Sequence, residues 1–88
     1  MTEILLPARA DAEAAIRMRD EILKTPPDRR VTVDASEVSS FSTPVAMVLL
    51  AARKRKGGFV LRRPSEDVVD GFSTLGLFAE MMTMELEG

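Results

Sequence analysis

Residues 33–61 read VDASEVSSFSTPVAMVLLAARKRKGGFVL, and this stretch decides the fold. Its start continues Val31-Thr-Val-Asp34, a β-branched alternating segment that predicts a strand, and Ser36-Glu-Val-Ser-Ser40 predicts the loop at that strand's C-terminal end. Pro44 pre-sets a helical φ and has no N–H to leave unpaired. That places Pro44 at the first helical position and Thr43 at the N-cap. The helix is expected to run to about Lys56, with Arg53, Lys54, Arg55 and Lys56 complementing its C-terminal dipole and Gly57-Gly58 permitting a left-handed exit. Phe59-Val-Leu61 is then a further apolar strand.

Working outward, Ile4-Leu-Leu6 closed by Pro7 predicts a short first strand. From Asp11, a fitting N-cap, to Lys24, the apolar positions Ala12, Ala15, Ile16, Ile22 and Leu23 follow a helical period. Arg19 interrupts that stripe and is expected to lay its stem along the core edge. Thr25-Pro-Pro-Asp28 ends the helix, because proline neither continues a helix nor leaves the preceding residue helical. Ser65 opens a third helix carrying Val68, Phe72 and Leu75, weakened by Gly71 and closed by Gly76. Met82, Met84 and Leu86 alternate with Thr83, Glu85 and Glu87, the pattern of a half-buried edge strand. Strands alternating with helices predict an α/β fold, a mainly four-stranded sheet with about three helices joined by right-handed crossovers. Residues 1–88 suffice for one domain with a single core.

Composition removes most chemistry. The chain has no His, Cys, Trp or Tyr, so the usual general base, metal ligands and thiol nucleophile are missing, and no catalytic residue or cofactor is expected. No two carboxylates are spaced to converge, and those in helix first turns complement the dipole. Arg53 to Lys56 with Arg62 and Arg63 hold half of the 12 positive charges, yet the net charge is −2 and no aromatic residues interleave, which argues against nucleic acid. The longest apolar run, Val45 to Ala52, is too short to span a bilayer, and nothing reads as a secretory leader, so a cytoplasmic location is the expectation. The glycine pair at 57–58 closes a helix rather than opening one, which excludes a phosphate-binding loop.

What remains is surface. Val45, Val48, Leu49 and Ala52 complete an inward stripe on the second helix, leaving Ala46, Met47, Leu50 and Ala51 either under a second layer or in an apolar patch beside Thr43. Met47 suits an adaptable binding face as well as a core. Thr43 is either a plain helix cap or a phosphorylatable hydroxyl, and Ser39, Ser40 and Ser42 are turn formers by composition.

Val33-Asp-Ala-Ser-Glu-Val38, followed by Ser42-Thr43 and Val48-Leu-Leu50, resembles the bacterial STAS domain, the anti-anti-sigma factor fold. Gly57-Gly-Phe-Val-Leu61, Pro64-Ser65 and Leu75-Gly-Leu77 fall where that family has its third strand and last helix. The resemblance spans Ile4 to Leu77 through many short matches, and it aligns the start of the chain with the family's second strand, implying a sheet without the first. It places the family's phosphorylatable hydroxyl on Thr43, with Ser42 as the alternative. Ser42 stands where the family carries Asp, and Pro44-Val45 replaces its small residue and glycine. The resemblance implies a regulatory module that binds an anti-sigma factor or other kinase through Ser40, Ser42, Thr43, Met47 and Leu50, rimmed by Arg53 and Lys54, and is released by phosphorylation. The alternatives are a constitutive accessory subunit, as in lipid-transport ABC complexes or beside chemotaxis kinases, and a small-molecule carrier, for which no polar constellation speaks.

Overall fold

The computed structural model describes residues 2–88. Six strands and four helices follow in the order β1 (Thr2–Leu5), β2 (Arg9–Ala10), α1 (Ala12–Lys24), β3 (Val31–Asp34), β4 (Ser40–Phe41), α2 (Thr43–Ala52), β5 (Phe59–Arg62), α3 (Glu66–Thr74), α4 (Phe78–Met81) and β6 (Glu85–Glu87). The main sheet is wholly parallel in the order β1-β3-β5-β6. Every crossover steps the same way across it, so right-handed connections lay the helices over one face. The fold is a small α/β domain with a four-stranded parallel sheet.

Successive strand residues face opposite sides. Val31, Val33, Phe59 and Leu61 enter the helix-side core with Val45, Ala46 and Leu49 of α2, Met18 and Ile22 of α1, and Phe72 of α3. Each such large side chain contributes about 1.5 to 3 kcal/mol by leaving water. Thr32 and Val60 point the other way and are still only 2% exposed. On that helix-free face Arg62 bridges Glu3 and Glu87, both at 2.8 Å, and Arg30 reaches Glu85 at 2.6 Å, so charged side chains rather than helices cover it.

Several sequence expectations are corrected. The core stripe of α1 is Ala14, Ala15, Met18 and Ile22, while Ile16 and Leu23, expected inside, are 51% and 73% exposed. Asp11 is the N-cap, accepting from the Ala14 N–H at 3.0 Å. On α2 the inward residues are Val45, Ala46, Leu49 and Ala52; Val48 is only half-buried. That helix stops at Ala52 rather than near Lys56, so Arg53 is its C-cap and Lys54 to Lys56 lie beyond it. Arg55 instead donates to the carbonyls of Ile22, Pro26 and Arg29 at 3.3, 2.9 and 3.2 Å, closing the C-terminus of the neighbouring helix α1. Gly57 follows with its N–H on the Pro27 carbonyl at 2.9 Å, and the Asp28–Arg29 backbone leaves no room there for a side chain.

The third helix ends in a Schellman motif: Gly76, at φ 74°, donates to Ser73 and Leu77 donates to Phe72. Gly71 within it faces the Phe41 ring, which a methyl group would overlap, and this explains a glycine in a helix interior. The C-cap and turn that follow the fourth helix, α4, occupy the start of the expected C-terminal strand. The strand therefore spans only Glu85–Glu87, at the sheet edge; Met84 is buried before it and Met82 is 54% exposed.

Candidate functional site

The serine-rich segment between β3 and α2 is pinned at both ends. At its start, Asp34 accepts from the Ser36 hydroxyl at 2.6 Å and the Ser36 N–H at 2.9 Å, and from Arg63 at 2.7 Å. The Ser36 hydroxyl bond, then its N–H and the Arg63 guanidinium, hold the Asp34 carboxyl down to about 2. Arg63 meets it from a left-handed conformation, φ 46°, that few non-glycine residues adopt, with its N–H on the Glu87 carbonyl at 2.6 Å. At the far end, β4 pairs in parallel with β2, and the N–H groups of Ser39 and Ser40 donate to Ala8 while that of Ser42 donates to Ala10. Ser65 ties the middle, donating to the Val38 carbonyl at 2.6 Å.

This bracing delivers the chain into α2 with a capping pattern one residue earlier than the sequence suggests. Ser42 is the N-cap: it is extended, at φ −112° and ψ 157°, and its carbonyl accepts from the Ala46 N–H. Thr43 is the first helical residue and Pro44 the second, a shift proline tolerates because that N–H too has no intrahelical partner. The Ser42 hydroxyl makes no cap bond; its oxygen is buried and unpartnered. Thr43, by contrast, is exposed, and no acidic side chain occupies the first turn.

The other predicted site residues fall around the same helix. Thr43, Met47 and Ala51, four apart, form its solvent-facing ridge, with Met47 45% exposed. Leu50 flanks that ridge half-buried against the core, Lys54 continues it past the helix end, and Arg53 is the half-buried C-cap. Ser40 is exposed in β4, ahead of the helix. Ser40, Thr43, Met47 and Lys54 are thus each exposed, whereas the Ser42 hydroxyl oxygen is buried. Sequence reasoning missed the contribution of α1, whose exposed Ile16 and Leu23 flank the same region; their seven-residue spacing was the available signal. Among the described residues no group of three or more His, Cys, Asp or Glu side chains could hold a metal ion, and no helix is long and apolar enough to cross a membrane.

Compared with protein-family models, curated proteins and solved structures, the chain matches none.

Proposed function

We propose that the chain is a non-catalytic protein-binding module that docks a regulatory protein on the outer ridge of α2 and is released by phosphorylation at Thr43, in the manner of the anti-sigma factor antagonists it resembles. The observation that carries this reading is the continuity of an exposed hydroxyl at a helix N-terminus with an exposed apolar ridge, Thr43 to Met47 to Ala51. A phosphate on Thr43 would add about −1.5 to −2 charges where the helix dipole favours them, so folding survives. The same charge stands at the edge of an apolar contact, where it weakens docking unless the partner supplies a cation. The buried Ser42 oxygen favours Thr43 over Ser42 as acceptor.

The test is affinity capture from lysate of the source cells with four baits: wild type, Thr43→Ala, Thr43→Glu and Met47→Asp. One protein should be retained by the first two, weakened with Thr43→Glu and lost with Met47→Asp. Retention alike by all four overturns the reading. A second reading, the constitutive accessory subunit, is favoured by two residues: Ser42 stands where the resembled family has Asp, and Pro44 removes an N–H that could hold a phosphate. Equal retention by wild type and Thr43→Glu, with loss in Met47→Asp, selects it.

A further inference from the structure

The first two helices leave an apolar groove between them that the α2 ridge alone does not account for. Leu23 and Met47 stand on its two walls, Ala51 continues the α2 wall, and Val48 and Ala52 line its floor, enclosing about 360 Å³. Ile16 and Pro44 extend it toward the N-terminal ends of both helices. From Ala12 to Leu23 the α1 wall runs about three turns, roughly 16 Å. Leu23 is the most exposed large apolar side chain among the described residues, at 73%, and Ile16, seven residues earlier, lies on the same helix face.

The cations of the molecule are unevenly paired. Arg17, Arg19, Arg30, Arg62 and Arg63 each have a carboxylate within 4.0 Å. Lys24, Arg53, Lys54 and Lys56, where the two helices end, have none among the described residues. An apolar channel with an uncompensated cationic end is complementary to one kind of occupant. We infer that the α1–α2 groove receives an amphipathic helix of the partner protein, apolar at i, i+3, i+4 and i+7, with acidic side chains at the end that meets Lys24, Lys54 and Lys56. A bilayer surface fits less well, because the floor residues Val48 and Ala52 are recessed between the walls. This inference rests on the protein-docking reading and adds the partner's chemistry and the α1 wall.

The probe is a lactam-stapled peptide of about 14 residues with leucines at those four positions and glutamates toward one end, long enough to fill the groove. Its affinity for the full chain is measured by fluorescence anisotropy and its seat by amide shifts of isotope-labelled protein. The expected result is saturable binding with shifts centred on Ile16, Leu23, Met47 and Ala51. Affinity should fall about tenfold or more in Leu23→Asp, in the Lys54→Glu/Lys56→Glu double variant, and on raising salt from about 0.05 to about 0.5 M. A lysine-for-glutamate peptide should bind at least about tenfold more weakly. Equal binding of the acidic and basic peptides, shifts centred elsewhere, or no binding overturns the inference, as does stronger association with phosphatidylglycerol vesicles than with the peptide. Carrying Leu23→Asp into the capture experiment separates the two claims: retention of the native partner by Leu23→Asp but not by Met47→Asp overturns the groove and leaves the docking face standing.

Discussion

Replacing Arg55 should cost more stability than replacing either neighbouring lysine, although all three belong to one basic run. Its guanidinium donates to three main-chain carbonyls, those of Ile22, Pro26 and Arg29, at 2.9 to 3.3 Å. Hydrogen bonds from a charged donor contribute about 1.5 to 3 kcal/mol when sheltered, and less where water takes over. Pro26 and Arg29 are exposed, so their carbonyls recover solvent; only the contact to Ile22 is sheltered. Counting one sheltered bond and a fraction of the other two gives a loss of about 2 to 3 kcal/mol for Arg55→Ala. A domain of this size has a total stability on the order of 4 to 13 kcal/mol and its midpoint moves about 4 to 8 °C per kcal/mol, so the midpoint should fall by roughly 8 to 24 °C. Arg55→Lys keeps the charge but not the fork, and should recover less than half of the loss. Lys54→Ala and Lys56→Ala, both exposed, should stay within about 0.5 kcal/mol of wild type. Urea unfolding of the four variants decides the matter. If Arg55→Ala unfolds at the same urea concentration as Lys54→Ala, the guanidinium does not hold the end of α1 and the reasoning fails.

Gly71→Ala gains about 1 kcal/mol of helix propensity but drives a methyl into the Phe41 ring, which packs tilted against Phe72 with ring centroids 5.1 Å apart, so thermal melts should show net destabilisation of about 1 to 2 kcal/mol; a more stable variant would mean that Phe41 yields freely. The Asp34 carboxyl has a folded pKa of about 2 against an ordinary 3.8, so its stabilisation is fully present above pH 3.8 and is lost as pH falls toward 2. Acid unfolding of wild type and Asp34→Asn should converge across that window, from a difference of about 1 to 2 kcal/mol at neutral pH after allowing for water around Arg63; curves that stay parallel down to pH 2 refute it. Thr43→Ala should leave stability within about 0.5 kcal/mol, because Thr43 is the first helical residue rather than the cap, and Ser42→Ala should be neutral or stabilising, because its buried oxygen has no partner to lose. A loss of about 1 kcal/mol in Thr43→Ala by urea denaturation would restore Thr43 as the cap.

The strands and the order of elements were legible because β-branched runs favour strands, Pro44 fixes a helical φ and Gly76 takes a left-handed exit at little cost, and all of them agree with a parallel α/β plan. Three features were not. The bridge between β2 and β4 is a two-residue pairing of main-chain groups, and Arg9-Ala10 has no strand propensity to announce it. The role of Arg55 depends on residues 22–29 folding back beside it, which no local window contains. The N-cap shifted by one residue because proline is acceptable at either of the first two helical positions, and the bracing of Ser40 and Ser42 by residues 8–10 decides between them.

The misread stripe of α1 bears directly on the site. Ranking by hydrophobicity alone sends Ile16 and Leu23 inward, yet the core takes Ala14, Ala15, Met18 and Ile22. The small alanines let α1 lie close to the sheet and to α2, and Met18 fills the remaining space with a flexible side chain. Two large aliphatic side chains are then left in water on α1, opposite Met47 and Ala51 on α2. Each exposed residue alone would be ordinary, since folded surfaces carry many apolar atoms. Their convergence on one groove, bordered by cations without carboxylates, is not ordinary. A sequence serving only its own core would gain by exchanging Leu23 for a polar residue, which loses little packing at 73% exposure and improves solubility. The disagreement between apolar pattern and observed core therefore falls at the surface proposed for the partner, where binding rather than folding accounts for the residue choice.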